Sequence, residues 1–239
     1  METGFTKDEI LRYSRHLIIP MMGIEGQRKL KEAKVLLVGA GGLGSAIALY
    51  LVAVGIGRIG IVDDDSVEVS NLNRQVIHST TKIGNPKVHS AFERLRELNP
   101  HVQVDAIQEQ FQAKNAIEIS ADYDVLIDGT DNLHTRYLLN DTAFFTGKPY
   151  VYGAVHEFEG QVSVFDSRQG PCYRCIFPDQ QPSENTPPLP RLGVFGSLPG
   201  TIGTIQVLET VKIITGIGTP LYGRLLVWDG LSASSQTVR

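Results

Sequence analysis

The chain has 239 residues, 42% of them hydrophobic and 20% charged, which is typical of a globular protein with a full core. Its net charge of −4 argues against a nucleic-acid binder, because nucleic-acid binding needs a strongly basic surface. No run of about 18 apolar residues and no secretory signal occurs, and two cysteines make no disulfide framework, so we expect a cytoplasmic protein without a membrane segment.

The N-terminal half predicts two helices followed by a strand–helix–strand unit. Thr6 and Glu9 fit a capping box ahead of a helix through "TKDEILRYSRHLI", and a shorter helix is expected over residues 25–32. The segments "VLLVG", "LGSAIALYLVAVG" and "RIGIVDDD" then read as strand, glycine turn with helix, and strand. These apolar strands predict a parallel sheet that is covered on both faces.

The remaining elements complete one α/β domain. A helix over "KVHSAFERLREL" ends at Asn99-Pro100, strands follow in "VQVDAIQ" and "DVLIDGTDN", and a helix is expected over 133–145. The strands "YVYGAV" and "QVSVFD" are close enough to pair through a turn at 157–160. A helix over "GTIGTIQVLETVKIITG" and a last strand "RLLVWD" follow. We expect a Rossmann-like, mostly parallel central sheet flanked by helices, with antiparallel strands in the C-terminal half.

The stretch "KVLLVGAGGLGS" predicts a nucleotide site. Gly39, Gly41 and Gly44 match the pattern G-x-G-x-x-G, in which glycines allow a sharp turn and the approach of a phosphate to a helix N-terminus. Asp63 ends the next strand, where such folds place a carboxylate on ribose hydroxyls. NAD and ATP both carry a ribose, so the motif does not choose between them. The same turn can also connect a strand to a helix without any ligand.

The residues after this turn favour a triphosphate over hydride transfer. No Tyr-x-x-x-Lys pair occurs, so one common reductase pair is absent. Arg74 and Lys87 follow Asp63 closely together with several amides, as a ligand with roughly four negative charges requires. Asp131 follows a predicted strand and fits a Mg²⁺ ligand, although it could instead cap the next helix.

Five motifs carry a resemblance to a known family. "GAGGLGS", "VDDDSVEVSNLNRQ", "IGNPKV", "DGTDN" and "CYRC" follow one another as in the ubiquitin-activating-enzyme-like adenylyltransferases. The chain most closely resembles the bacterial molybdopterin-synthase and thiazole sulfur-carrier adenylyltransferases, essentially over its whole length. The resemblance implies one adenylating domain over residues 1–239. It also implies that Mg-ATP adenylates the C-terminal glycine of a ubiquitin-like sulfur carrier, with release of pyrophosphate, in molybdenum-cofactor, thiamine or related biosynthesis.

The resemblance also implies roles for individual residues. Arg74 and Lys87 would hold phosphates, Asp131 would hold Mg²⁺ and Asp63 would bind the ribose. Arg15 would reach the ATP of the partner subunit and so require a homodimer, although by its spacing alone it is an exposed helix arginine. The expected ATP site comprises Gly39, Gly41, Gly42, Asp63, Asp65, Ser70, Asn71, Asn73, Arg74, Gln75, Lys87, Asp131 and Asn132.

The chain departs from the family pattern in two places. Cys172 and Cys175 form half of a tetrahedral zinc site, which relatives complete with a second C-x-x-C near their C-terminus. We expect zinc if the native chain carries that second pair and this sequence is a trimmed form. Loss of zinc is the alternative, and a redox pair is disfavoured because no helix N-terminus is evident there. The proline-rich segment 178–190, expected to be a mobile surface loop, has no cysteine.

The missing cysteine predicts adenylation without a covalent acyl-enzyme. The activated carrier would then pass to a separate sulfur donor or to a rhodanese-like domain. Adenylation of another carboxylate, an NAD-dependent oxidoreductase and a catalytically silent nucleotide-binding scaffold remain as alternatives to the main hypothesis.

Overall fold

The computed structural model describes residues 4–178 and 193–239. Eight strands form one sheet in the order β3-β2-β1-β4-β5-β6-β7-β8. The neighbouring strands β3, β2, β1, β4 and β5 run parallel to one another. The pairs β5–β6, β6–β7 and β7–β8 are antiparallel. The strands are β1 (Lys34–Val38), β2 (Arg58–Val62), β3 (Gln103–Ile107), β4 (Val125–Asp128), β5 (Tyr150–His156), β6 (Glu159–Phe165), β7 (Leu225–Asp229) and β8 (Ser234–Val238). The predicted fold class is confirmed.

Helices cover both faces of this sheet. They are α1 (Lys7–Arg12), α2 (Ser14–Leu17), α3 (Gly23–Glu32), α4 (Gly42–Ala53), α5 (Lys87–Leu98), α6 (Ala116–Ser120), α7 (Leu133–Thr146), α8 (Tyr173–Ile176) and α9 (Ser197–Thr215). Short 3₁₀ helices cover Val69–Asn71 and Thr80–Lys82. Side chains that alternate along β1 enter two separate cores: Val35 and Leu37 pack on the side of α4, and Leu36 and Val38 on the side of α7.

The N-terminal helix is interrupted, contrary to the single predicted helix. The capping box of Thr6 and Glu9 is confirmed, but α1 ends at Arg12 and a new helix begins at Ser14. Tyr13 lies between them with its ring buried, and its hydroxyl accepts a hydrogen bond from Asn99 Nδ2 at 2.9 Å. The helix is therefore interrupted at the residue whose ring is anchored in the core.

Two elements were missed by the sequence pattern. The prediction that "RLLVWD" is the last strand is wrong, because β8 pairs with β7 along its whole length. Every residue of β8 is exposed, so it has no apolar alternation that could mark it as a strand. The second missed element is the helix α6, which spans only five residues and is too short to show a helical pattern. The hairpin of β5 and β6 is confirmed, with a tighter turn than expected at residues 157–158.

The strand order places a crevice at one end of the sheet. β1 and β4 are neighbours, while the chain leaves β1 toward β2 on one side and leaves β4 toward β5 on the other. In open α/β sheets ligands bind outside the carboxyl ends of the strands at such a reversal. Within residues 4–178 and 193–239, no helix combines the length and the apolar character needed to cross a membrane. Most of the predicted proline loop lies outside the described residues.

Candidate active site

A cleft of about 610 Å³ opens at the carboxyl ends of β1, β2 and β4. The first residues of four helices border it: Gly42 of α4, Lys87 of α5, Pro199 of α9, and Asn132, which caps α7. Each helix N-terminus contributes a partial positive charge from the helix dipole. The cleft is therefore built to receive an anion, as the glycine motif predicts.

Close backbone approach explains two of the motif glycines. Gly39 has φ of 97°, and a Cβ on it would lie 2.6 Å from the carbonyl oxygen of Gly129 in the turn after β4. A Cβ on Gly44 would lie 2.0 Å from the carbonyl oxygen of Gly39, so this glycine allows α4 to pack onto its own turn. Gly39, Gly41 and Gly42 line the cleft, whereas Gly44 does not.

Asp63 lies on the cleft wall at the end of β2 and is tied to two backbone amides. Its Oδ2 accepts the Ala40 N–H at 2.7 Å, and its Oδ1 accepts the Asp65 N–H at 2.9 Å. Burial raises the pKa of the Asp63 carboxyl, against the opposing effect of the nearby Lys87 charge. Each oxygen keeps acceptor capacity for a hydroxyl donor from the cleft.

Lys87 and Asp65 form an ion pair inside the cleft. The Lys87 Nζ lies 2.7 Å from Asp65 Oδ2, and the Lys87 N–H donates to the Asp65 carbonyl at 2.9 Å. The Lys87 side chain is only 8% exposed, while that of Asp65 is 70% exposed. The lysine is thus held in a fixed position at the start of α5, and the aspartate on its outer side serves mainly to hold it.

Arg74, Asn73 and Gln75 line the cleft, but two other predicted residues do not. Ser70 Oγ donates to Glu68 Oε2 at 3.1 Å, and Asn71 Oδ1 accepts the Glu68 N–H at 3.0 Å. Both side chains thus close the 3₁₀ turn before Arg74, and their role in ligand binding stays a prediction. The Arg74 Nη1 donates to the Ser70 carbonyl at 3.1 Å, so this turn also positions the arginine.

Asp131 is exposed in the cleft and makes no hydrogen bond or ion pair with any residue in the described ranges. The alternative of Asp131 as the helix cap is wrong, because Asn132 caps α7 by accepting the Thr135 N–H at 2.9 Å. The other candidate for a metal site is the cluster of three carboxylates at residues 63–65, whose oxygens lie within 4.8 Å of one another. The Lys87 ammonium already occupies part of that cluster, so Asp131 is the better fit to a magnesium ligand.

A buried ion pair beneath the cleft was not predicted. Asp128, with 0% of its side chain exposed, accepts hydrogen bonds from the N–H and hydroxyl of Thr130 at 2.8 and 2.7 Å and from the Tyr150 hydroxyl at 2.9 Å. Arg136 Nε lies 3.4 Å from Asp128 Oδ2. The only sequence signal is the position of Asp128 at the end of an apolar strand, just before "GTDN".

Several other residues line the cleft without any local motif. They come from the β3–α6 loop, the first turns of α7, the end of β5, the segment before α9 and its start. They are Glu109, Gln110, Phe111, Thr135, Arg136, Val155, His156, Val194 and Pro199. Tertiary structure alone brings them together, which is why sequence reasoning could not find them.

Arg15 and the cysteine pair lie away from the cleft residues. Arg15 is exposed on α2 and does not line the cleft of its own chain. The Sγ atoms of Cys172 and Cys175 are 3.6 Å apart. Two thiolates on a tetrahedral zinc ion with bonds of about 2.3 Å would be about 3.8 Å apart, so the pair fits half of such a site. Cys172 caps α8, so the expectation that no helix N-terminus lies there is wrong.

Comparisons with known proteins agree with this architecture. The model of the ThiF family matches residues 13–239. The chain belongs to the ThiF family. It is 48% identical over 235 residues to a sulfur carrier protein adenylyltransferase from Thermus thermophilus, an alignment that covers 96% of this chain and 87% of the relative. The recognised resemblance is confirmed.

Two further comparisons give a second relative and a structure with the same fold. The chain is 44% identical over 239 residues to the adenylyltransferase and sulfurtransferase MOCS3 of Arabidopsis thaliana. This alignment covers 100% of this chain but 52% of that relative. The chain thus spans about half the length of MOCS3. The crystal structure of E. coli MccB has the same fold, with a TM-score of 0.86 at 21% identity over 100% of this chain and 72% of MccB.

Proposed function

We propose that this chain is an ATP-dependent adenylyltransferase that activates the C-terminal carboxylate of a ubiquitin-like sulfur-carrier protein, for molybdenum-cofactor, thiamine or related biosynthesis. One observation carries the proposal: fixed cations, four helix N-termini and the unpaired Asp131 carboxylate surround one cleft. Such a site suits a magnesium-bound triphosphate. The printed names of the Thermus and Arabidopsis relatives support the same reaction and substrate class.

The reaction needs alignment and charge neutralisation more than proton transfer. A C-terminal carboxylate has a pKa of about 3.3–3.7 and is already ionised at neutral pH. One of its oxygens forms a bond to the α-phosphorus while the bond from that phosphorus to pyrophosphate breaks. Arg74 and Lys87 bind phosphate oxygens, and Asp63 binds the ribose. Asp131 would hold Mg²⁺, which neutralises phosphate charge when bound.

Lys87 contributes because its position is fixed before the nucleotide arrives. Both its ammonium and its backbone N–H are bonded to Asp65, so little reorganisation accompanies phosphate binding. A phosphate oxygen can take the place of the exposed Asp65 carboxylate as the partner of the Lys87 ammonium. A preorganised cation at the reacting centre thereby offsets the electrostatic repulsion between the negatively charged carboxylate and triphosphate.

Carrier-dependent exchange of labelled pyrophosphate into ATP tests this function. We expect exchange only when the chain, Mg-ATP and a carrier ending in Gly-Gly are all present, and none with a carrier whose C-terminus is amidated. Exchange that depends on a small carboxylic acid would identify the alternative substrate class. Binding of NADH without any exchange would support the oxidoreductase alternative and contradict the proposal.

The surface around Arg15 supports a homodimer in which the arginine acts on the partner's ATP. Large apolar side chains near it are strongly exposed, with Leu11 at 75%, Ile18 at 69% and Met21 at 68%. Large apolar side chains that are exposed within one short segment are typical of a protein–protein interface. Arg15 does not line the cleft of its own chain, so the proposed contact with ATP would be made across such an interface.

Mixed dimers test this arrangement. We expect Arg15→Ala and Arg74→Ala each to lose most exchange activity as homodimers. Co-refolded or co-expressed together, they should recover about a quarter of the wild-type activity, because half of the dimers are mixed and each mixed dimer has one intact site. A mixture as inactive as the separate variants would contradict action across the interface.

The cysteine pair supports a proposed structural zinc half-site. Because Val238 of β8 pairs with Leu225 at the start of β7, the end of β8 lies near Gly223, which is in turn close to Gly170 and Pro171. Further ligands arriving beside Cys172 from that end of the sheet would complete a tetrahedral site.

Metal titration tests the cysteine pair directly. We expect added Co²⁺ to give a thiolate charge-transfer band that zinc displaces and that Cys172→Ser abolishes. ATP affinity should remain unchanged in that variant, because neither cysteine lines the cleft. A band of undiminished intensity in the Cys172→Ser, Cys175→Ser double variant would contradict the half-site.

The two cysteines also bear on the fate of the adenylate. Both lie outside the cleft, and the chain contains no other cysteine. We therefore propose that one adenylating domain delivers the activated carrier, without a covalent acyl-enzyme, to a separate sulfur donor or to a rhodanese-like domain. A thiol-labile conjugate of carrier and chain on a non-reducing gel would contradict this.

A further inference from the structure

His78 connects the glycine turn to α5 and has no role in the site described above. It is buried, with 7% of its surface exposed. Its Nε2 lies 3.1 Å from the carbonyl oxygen of Ala40, inside the glycine turn, and its Nδ1 lies 2.9 Å from Ser90 Oγ. Ser90 is three residues after Lys87 on α5. A single imidazole thus bridges the two elements that carry the proposed phosphate contacts.

These contacts fix the proton on the ring. A carbonyl oxygen can only accept, so Nε2 must carry the hydrogen that it donates to Ala40. Burial lowers the pKa of His78, and the Lys87 charge lowers it further, which favours the neutral ring. The Ala40 carbonyl thus selects the tautomer, and in the neutral ring Nδ1 accepts a hydrogen bond from the Ser90 hydroxyl.

The bond to Ala40 has a consequence for the next amide. In a trans peptide the carbonyl of one residue and the N–H of the following residue point in opposite directions. His78 draws the Ala40 carbonyl into the protein, and Asp63 holds the Ala40 N–H at 2.7 Å. The Gly41 N–H must then point away from His78. Gly41 lines the cleft, and none of the residues 4–178 and 193–239 accepts a hydrogen bond from its N–H.

We propose that His78 is a positioning residue that aims the Gly41 N–H at a phosphate oxygen of the bound nucleotide and ties this donor to the helix that carries Lys87. The inference rests on the proposed use of ATP and adds a residue that does not touch the substrate. We expect its effect to fall on the phosphates, because Asp63, the proposed ribose contact, is held independently of His78 by the N–H groups of Ala40 and Asp65. A preorganised backbone donor of this kind stabilises negative charge on the phosphate oxygens during the transfer.

Two matched substitutions separate the two bonds of His78. In His78→Gln the side-chain amide can replace Nε2 and still donate to Ala40. In His78→Asn the shorter amide can replace Nδ1 beside Ser90 but cannot reach Ala40. We expect His78→Asn to lower kcat/KM for ATP in pyrophosphate exchange about 10- to 100-fold and His78→Gln to lower it less than about fivefold.

Binding measurements show whether the effect is on phosphates. By calorimetry we expect His78→Asn to weaken ATP binding about tenfold or more and to leave adenosine binding within about twofold of wild type. Equal weakening of ATP and adenosine, or equal effects of both substitutions, would overturn the proposal in favour of a purely structural histidine. These arms need no carrier, so their failure is distinct from absence of carrier-dependent exchange in the wild type.

The wild-type protein provides a test that does not depend on the stability of any variant. With ¹⁵N-labelled glycine, we expect the Gly41 amide resonance to shift strongly on addition of ATP and little on addition of adenosine. A Gly41 resonance that responds equally to both ligands, or to neither while ATP binds, would overturn the proposal.

Discussion

Asp131→Ala is expected to lower carrier-dependent pyrophosphate exchange by about 100- to 1,000-fold while leaving the melting temperature unchanged. The physical reason is that this carboxylate is exposed in the cleft and has no partner in the described parts of the chain, so folding does not depend on it. In the proposed reaction it holds the magnesium ion that neutralises phosphate charge. Exchange kinetics and thermal unfolding, measured on one preparation, separate the two effects.

A control and a milder variant sharpen this test. Glu118→Ala removes an exposed carboxylate of α6 outside the cleft and should leave exchange unchanged. Asp131→Asn keeps a weaker oxygen ligand, so we expect its activity to require a higher Mg²⁺ concentration for half-maximal exchange. Wild-type exchange in Asp131→Ala, or an unchanged Mg²⁺ dependence in Asp131→Asn, would remove Asp131 from the mechanism.

Arg136→Met is expected to lower the free energy of unfolding by about 3 kcal/mol at pH 8. The substitution keeps the apolar volume of the side chain but leaves Asp128 buried without its cation. The three hydrogen bonds from Thr130 and Tyr150 remain and do not replace a full charge. Denaturant unfolding measures this loss, and the matched double variant with Asp128→Asn should recover a large part of it.

The pH dependence of this loss follows from the pKa of Asp128. Burial raises that pKa above its ordinary value in the folded state, and Arg136 opposes the rise. A carboxyl with a raised folded pKa destabilises the protein as pH increases through the interval between its unfolded and folded pKa values. Without Arg136 the folded pKa rises further. We therefore expect the loss to shrink as pH falls from 8 toward 5, because Asp128 then takes up a proton in the folded protein.

The double variant also controls the pH dependence. With Asp128→Asn in the background, Arg136→Met should cause the same loss of stability at pH 5 and at pH 8, because no buried carboxyl is left to titrate. A loss in the single variant that stays constant with pH, or that grows on acidification, would contradict the buried pair as its cause.

The sequence predicted those parts of the site that follow directly from strand order. The apolar strands β1, β2 and β4 could be recognised by composition, and the residues that follow them must meet at one edge of a parallel sheet. Gly39, Asp63 and Asp131 are placed together on this basis alone. Their meeting in one cleft required no knowledge of side-chain contacts.

The features that escaped prediction depend on tertiary contacts. Asp128 and Arg136 read as a strand end and a helix residue, and only packing turns them into a buried pair under the cleft. The contacts by which Ser70 and Asn71 close a turn on Glu68 could not be foreseen from the sequence, and their role in ligand binding stays a prediction. The sequence contains no spacing signal for His78, since nothing in it pairs this residue with Ala40 or Ser90.

The most direct test follows an oxygen atom from the carrier to the nucleotide. The carrier's C-terminal carboxylate is labelled with heavy oxygen and incubated with the chain, Mg-ATP and a thiol acceptor. If the carboxylate attacks the α-phosphorus, attack of the thiol on the acyl-adenylate leaves one carboxylate oxygen on AMP. We expect AMP that carries one heavy oxygen by mass spectrometry. Unlabelled AMP, or ADP and phosphate as the products, would contradict adenylation of the carrier at this cleft.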